Sequence, residues 1–413
     1  MTTRYRVARL GAQGDGIADT ERGPVFISFT LPGEMVTAAV NKDRGELIAV
    51  TEPASNRVEP PCRHFGTCGG CQLQHLAMAD YLAWKRDKVV QALKSQALKP
   101  AVGQIVPCAP HSRRRVTFAL RKVEGGMLLG YNRHLSHEIV DIAECPISVP
   151  PIVEALDSLR ALARLSCFTS KAFRMTVTAT ASGLDVALLD SGVLDDAARK
   201  AIADFAMAAN LARVSVDGEI IVEPKKPQVS MGPAVVNIPP GGFLQAVASA
   251  EEAMGQLVLD HLGKAKRVAD LFAGSGAFTF RLAQRAEVHA VEGEAAALAA
   301  LDRAFRFTPS LKRVSTEKRD LFERPLTTKE LDRFDAVVFD PPRAGAEFQC
   351  RQLAKSGVSK VAAVSCNPLT LARDLATLVA GGYTVTSVTP IDQFLWSSHV
   401  EAVALLEKPR KRR

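Results

Sequence analysis

Residues 1 to about 55 alternate apolar and polar positions in short runs, broken by Gly14, Gly16, Gly23, Pro32, Gly33 and Gly45. That period-two alternation with frequent turn residues predicts a small β-barrel of short strands and no helix. From Glu59 to Gln74 the pattern gives way to Pro, Gly and Cys, and Tyr81 to Leu98 then spaces its apolar residues as an amphipathic helix rich in Lys and Arg. The middle third offers strand runs at Arg115 to Val123, Arg174 to Ala179 and Glu219 to Glu223, with Gly125-Gly126 suited to a hairpin turn. From about 240 the rhythm becomes strand, loop, helix. Short apolar runs at Val268 to Phe272, Val288 to Glu292, Ala336 to Asp340, Val361 to Ser365 and Val400 to Leu406 are separated by helix-length segments. This predicts an α/β, Rossmann-like, doubly wound sheet over 240–413, behind a β-barrel over 1–55 and a central α+β domain over 56–239.

Composition changes this picture little. At 413 residues, 47% hydrophobic and 23% charged, the chain is ordinary for a globular protein of two or three domains and excludes a disordered or fibrous one. No stretch approaches the roughly 18 to 20 apolar residues of a membrane helix, so no membrane partner is expected. The N-terminal residues lack an apolar secretory segment, which predicts a cytoplasmic, reducing location. The eight cysteines are therefore not read as a disulfide framework. Charge adds more: 52 Lys and Arg against 44 Asp and Glu give +8, Arg113, Arg114 and Arg115 are consecutive, and the chain ends Lys408, Pro409, Arg410, Lys411, Arg412, Arg413. A polyanion such as nucleic acid is the partner this balance suggests.

The unusual residues fall at the predicted strand ends. Asp270-Leu-Phe-Ala-Gly274-Ser-Gly276 follows a buried strand, and its two glycines allow a tight turn beside a ligand. Glu292 ends the next strand, where a carboxylate can accept both hydroxyls of a ribose, and Asp320 can accept from an adenine amino group. Thr279 stands where a third glycine of a dinucleotide loop would be, which disfavours NAD and favours S-adenosylmethionine. Asp340-Pro-Pro-Arg343-Ala-Gly345 ends another strand on a rigid path able to face a carboxylate and a guanidinium to a planar substrate. In Val364-Ser-Cys366-Asn-Pro368 a thiol precedes a helix beginning near Leu369, and a positive helix N-terminus is expected to lower its pKa. His399-Val-Glu401 opens the last strand, where Glu401 is either a general base in the same crevice or a surface carboxylate.

A second cluster lies upstream. Cys62-x5-Cys68-x2-Cys71 sits in a Pro- and Gly-rich loop, with Cys145 in Glu144-Cys-Pro146 as a candidate fourth ligand. Three close thiols and one distant suit a [4Fe–4S] cluster, and zinc, with His64 or His75 available, is the physical alternative. Cys108, Cys167 and Cys350 have no such spacing and are expected to be structural.

The combination of D-L-F-A-G-S-G, D-P-P-R-A-G, S-C-N-P-L-T-L-A-R-D over 365–374 and H-V-E over 399–401 resembles the RNA uracil-5 methyltransferase family across essentially the whole chain. The segments V-x-R-L, G-D-G-I-A and L-P-G-E resemble its small RNA-binding TRAM barrel. The resemblance implies a class I S-adenosylmethionine-dependent enzyme with Cys366 as nucleophile and Glu401 as base. It also implies Asp340 holding the uracil edge or ordering the Cys366 loop, Arg343 placing that loop, and Gln245, Phe272, Gly274, Gly276, Glu292, Asp320 and Asp340 at the cofactor. It favours iron–sulfur over zinc. It further implies an RNA partner, 23S rRNA first and tRNA next, and a monomer is expected. The chain carries Val247 and Ala277 where the family often has Asn. Those two departures motivate a second reading, an RNA-binding iron–sulfur protein that has lost methylation.

Overall fold

The N-terminal alternation produces six strands, Thr2–Arg6, Arg9–Leu10, Gly16–Thr20, Gly23–Ile27, Met35–Asn41 and Arg44–Glu52, in one sheet with the first strand at one edge and the second at the other. The structure, a computed structural model, describes residues 2–409, so Arg410, Lys411, Arg412 and Arg413 lie outside the described residues. Val7, Ala18, Val25, Ile27, Val36 and Ala38 gather inside this half-barrel as a single core. Gly16 permits the closure, because a Cβ there would stand 2.0 Å from Thr30 Oγ1.

The middle of the chain builds a seven-stranded sheet from Arg115–Val123, Gly126–Asn132, Ile139–Asp141, Phe173–Thr180, Gly183–Leu189, Arg213–Val216 and Glu219–Val222. Gly125, at φ 84°, makes the predicted hairpin between the first two. Helices Leu156–Leu165 and Asp196–Ala208 bury Leu159, Leu162 and Ile202 against Phe118, Leu120, Phe173 and Leu188.

The third sheet carries the predicted strands. Its seven members run Val314–Lys318, Glu287–Glu292, Arg267–Leu271, Ala336–Phe339, Lys360–Ser365, Glu401–Glu407 and Thr384–Ile391 across the sheet. The first five are parallel, and Glu401–Glu407 runs against both its neighbours. Both faces are covered, with Leu271, Val291, Val337 and Phe339 in one core and Val268, Val288, Val338, Val364 and Val403 in the other. That double burial is why the strands read as continuous apolar runs.

Segments from the range 56–239 also pack on this third sheet, among them residues 101–106, which bridge to its edge strand at Val388 and Ile391. Helix Met78–Lys94 places Val89, Ala92 and Leu93 in the core beside Leu371, Leu375 and Val388. It starts three residues before the predicted Tyr81 and closes four before Leu98, where left-handed Ala97 lets the Leu98 amide return to the Leu93 carbonyl at 3.0 Å. The hairpin Gln228–Met231 and Ala234–Asn237 likewise packs Val229 and Val236 with Phe280 and Leu301.

Candidate functional site

Topology brings the predicted chemistry to one edge. Strand Glu401–Glu407 pairs antiparallel with Lys360–Ser365, with Ser365 opposite Ala402. Cys366, which follows Ser365 out of its strand, and Glu401, the first residue of the neighbouring strand, therefore stand side by side at the carboxyl ends of the parallel strands, where α/β sheets bind ligands. Asp340 leaves the adjacent strand Ala336–Phe339, and Gln245 Nε2 donates to its Oδ2 at 2.8 Å. Glu401 is fully buried. Burial first, and then the neighbouring Asp340, push its carboxyl up to about 8, and burial pushes Asp340 up to about 7.

The thiol departs from expectation. Asn367 caps helix Pro368–Ala380, its Oδ1 accepting from the Leu369 amide at 3.1 Å, so Cys366 does precede a helix N-terminus. Yet burial, followed by the Glu401 and Asp340 carboxylates, pushes the thiol up to about 11 against the opposing pull of Arg343. Two carboxylates and lost hydration outweigh a helix end and one guanidinium, which corrects the lowered pKa expected above.

The Asp340-Pro-Pro-Arg343 loop and the Cys366 loop are tied through main chain. Asn367 Nδ2 and Thr370 Oγ1 both donate to the Arg343 carbonyl, at 3.1 and 3.2 Å. Asp374 Oδ2 accepts from the Ala346 amide at 2.6 Å, and Arg373 donates to the Ala344 carbonyl at 2.9 Å. Gly345, at φ 80°, leaves room for both, since a Cβ would stand 2.5 Å from Arg373 and 2.6 Å from Asp374. The A-R-D triplet is thus the brace of the neighbouring loop. Arg343 itself reaches His399 Nε2 at 3.3 Å.

The glycine turn forms the second half of the crevice. Phe272 and Gly274 take left-handed conformations, φ 59° and 55°, and a Cβ on Gly274 would meet nothing within 4 Å. Gly276 has the opposite reason: a Cβ there would press within 2.5 Å of Phe280. Glu292 accepts the Gly274 amide on one carboxylate oxygen at 2.9 Å and the Glu294 amide on the other at 2.8 Å, so each oxygen keeps capacity for one further donor. Asp320 Oδ1 accepts the Phe322 amide at 2.8 Å, and the Phe272 and Phe322 rings lie 5.5 Å apart. An open glycine backbone, two aromatic rings and two carboxylates at successive strand ends fit S-adenosylmethionine. Asp270, buried beneath them, accepts from Thr279 Oγ1 at 2.5 Å, and burial pushes it up to about 7.

Cys62, Cys68, Cys71 and Cys145 line one cavity with His64, Phe65 and Tyr131. All four are free thiols, although no group of three or more His, Cys, Asp or Glu among the described residues stands in a metal-holding arrangement. Burial pushes Cys71 up to about 12, and each of the other three thiols raises it further. His64 is engaged, its Nε2 accepting from the Ala143 amide at 3.0 Å, and His75 does not line the cavity. Burial likewise raises the Cys62 and Cys68 thiols, so these three resist ionising in the free chain. The loop is docked on the middle sheet through Gly69 N to Asn132 O at 2.9 Å and Arg63 N to Glu144 Oε1 at 2.7 Å.

One residue had no place in the sequence reading. Gln393 Nε2 donates to Glu401 Oε2 at 2.6 Å and to Gln245 Oε1 at 2.9 Å. A glutamine following the strand-end pair Ile391-Asp392 and preceding H-V-E was its only signal. The two departures from the resemblance are also placed: Val247 is core, packed with Ala250 and Met254, and the Ala277 carbonyl accepts from Arg281 at 2.6 Å.

Residues 82–409 match the family model described as tRNA (Uracil-5-)-methyltransferase. A Mesorhizobium japonicum protein called an uncharacterized RNA methyltransferase is 62% identical over 413 residues, all of both chains. The Halomonas elongata 23S rRNA (uracil(1939)-C(5))-methyltransferase RlmD is 34% identical, covering 97% of this chain and 88% of its own. Among solved structures, the Pyrococcus abyssi tRNA (uracil-54, C5)-methyltransferase in complex with S-adenosyl-L-homocysteine superposes with TM-score 0.76 at 22% identity, over 98% of this chain and 99% of that one, a likeness of fold.

Proposed function

Because the chain belongs to the tRNA (uracil-5-)-methyltransferase family and is an RNA methyltransferase, we propose that it forms 5-methyluridine in 23S rRNA. The observation that carries the reaction is Cys366 and Glu401 side by side at the ends of adjacent antiparallel strands, beside the Asp340–Gln245 pair. The choice of RNA rests on the 34% identical relative named for that activity. The tRNA reading is favoured by the family description instead.

Uracil C5 is too weak a nucleophile to take a methyl group unaided. Cys366, as thiolate, adds to C6 and drives the ring electrons onto C5 and its carbonyl. Bound S-adenosylmethionine supplies a methyl group on a sulfonium. Glu401 then accepts the C5 proton, and the C6–S bond breaks to return the thiolate and the aromatic ring. Asp340 holds the uracil edge, and Arg343 offsets the charge on the thiolate. Gln245, Phe272, Gly274, Gly276, Glu292, Asp320 and Asp340 would hold the cofactor. The target base leaves its stack to reach the crevice, since C6 is inaccessible inside a helix. Cys62, Cys68, Cys71 and Cys145 hold a [4Fe–4S] cluster, with zinc as the alternative, and the N-terminal half-barrel acts as a TRAM-like RNA-binding part over 1–55. The middle range 56–239 carries the cluster, and 240–413 the methyl transfer.

Mass spectrometry of nucleosides from separated rRNA and tRNA tests this in cells with and without the protein. Loss of 5-methyluridine from rRNA is expected and Cys366→Ala should reproduce it; loss from tRNA alone supports the tRNA reading, and unchanged levels in both defeat the reaction.

A further inference from the structure

A chain of two buried amides joins the two carboxylates of the crevice. Gln245 Nε2 donates to Asp340 Oδ2 at 2.8 Å, and its Oε1 accepts from Gln393 Nε2 at 2.9 Å. The same Gln393 nitrogen donates to Glu401 Oε2 at 2.6 Å. When the two carboxyls are ionised they can only accept, and in that state the Gln393 NH2 faces Glu401 and the Gln245 NH2 faces Asp340. Gln245, Gln393 and Glu401 are all essentially out of solvent.

The segment carrying Gln393 is clamped on both sides. Asp392 is paired with Lys85, both fully buried, and accepts from Tyr81 Oη at 2.7 Å. Lys85 Nζ also donates to the Phe394 carbonyl at 2.7 Å, and the Trp396 amide donates to Tyr81 Oη at 2.6 Å. The Trp396 carbonyl accepts from the Gln72 and Leu73 amides at 2.8 and 3.1 Å, directly after Cys71. Helix Met78–Lys94 and the cysteine loop therefore fix where the Gln393 amide stands.

We propose that Gln393 is a positioning residue, whose amide holds the Glu401 carboxylate at the reacting carbon and locks the orientation of Gln245, so that base and uracil-binding edge are presented as one array. This rests on the uracil-C5 reading above. The groups facing Glu401 are Asp340, which raises it, and the Gln393 N–H, which lowers it; Cys366 lies within electrostatic reach, with Arg343 beside that thiol. Without the Gln393 donor the Glu401 carboxylate ionises less readily and is less well aimed.

The test is the full-length Gln393→Met enzyme, close in volume but without the donor, assayed with S-adenosylmethionine and an rRNA transcript. Turnover at pH 7.5 should fall roughly 10²-fold. The acid limb of kcat against pH should move up by about one unit. A Cys366-linked protein–RNA adduct should build up on denaturing gels, because elimination slows. Gln393→Leu is used if the Met variant does not melt cooperatively. A folded variant with wild-type kcat and an unmoved acid limb overturns the inference, as does an equal rate loss at every pH with no adduct. Failure of the underlying reading looks different: wild type itself then forms no 5-methyluridine and no adduct that Cys366→Ala removes.

Discussion

Cys366 and the cysteine loop face the same obstacle with different surroundings. Burial pushes the Cys366 thiol up to about 11 and the Cys71 thiol up to about 12. Around Cys366 stand two carboxylates and one guanidinium, in a crevice framed by groups that can bind a planar ring. Around Cys71 stand three more thiols, in a cavity lined by Phe65, Tyr131 and Ile147. A thiolate needed for one step of a cycle can be formed as substrate arrives and be returned afterwards. Four thiolates needed together require a resident cation, since each one formed makes the next harder. Under the proposed function the same elevated thiol would serve as a nucleophile in one place and a metal ligand in the other, and the neighbours would decide which.

The largest expected effect separates the two acids of the crevice from the thiol. Glu401→Gln should lower turnover by about 10²- to 10⁴-fold, the usual weight of a general base. Methyl transfer should still occur, so the RNA should remain attached through Cys366 and migrate slowly on a denaturing gel. Unchanged turnover, or a lost rate with no attached RNA, would show that the proton leaves by another route.

Next in size is a contrast between the two thiol sites. Cys71→Ala should lose bound iron and sulfide by elemental analysis and lower Tm by on the order of 10 °C. Cys366→Ala should lose methylation while keeping both metal and Tm. Zinc alone in anaerobically purified wild type, with neither iron nor sulfide, would replace the iron–sulfur assignment. Equal metal content in the two variants would remove the metal from the comparison.

Acidity offers a smaller effect. Glu401 is held up to about 8 and Asp340 up to about 7, against ordinary values of 4.5 and 3.8. Between those limits the folded chain binds more protons at these groups than the unfolded chain, so their contribution to stability is greatest at low pH and falls as pH rises towards 8. Glu401→Gln removes one of them. The decline in unfolding free energy from pH 5 to 8, read by denaturant titration, should accordingly be shallower in that variant, by an amount on the order of a few kcal/mol across the range. Parallel curves would mean that Glu401 titrates normally.

Much of the crevice was legible because its parts are local. Asp270 to Gly276, Asp340 to Gly345 and Ser365 to Pro368 each combine a strand end, a turn and a polar group within a few residues, and doubly covered strands read as apolar runs. The Gln393 bridge was not legible, since its partners lie 148 and 8 residues away and a lone glutamine has no spacing to betray it. Nor was the docking of Met78–Lys94, whose apolar stripe tells that a surface is buried but not against which sheet. The direction of the Cys366 shift was missed for a related reason. A helix N-terminus is visible in sequence, whereas two carboxylates converging from other strands are not.

The smallest expected effect probes the brace between the two loops of the crevice. Asn367 does two things with one side chain: its Oδ1 caps the helix at the Leu369 amide, and its Nδ2 holds the Arg343 carbonyl at 3.1 Å. Asn367→Ala should cost about 1 kcal/mol of stability through the lost cap. Asn367→Asp keeps the capping oxygen and loses the donor to Arg343, so it should retain the stability and still reduce turnover, as the Cys366 and Arg343 loops are free to part. Denaturant titration beside kcat for both variants separates the roles. If Asn367→Asp matches wild type in rate, the cap is the whole of its contribution, and the Cys366 loop is held by Thr370 and the Asp374 brace without it.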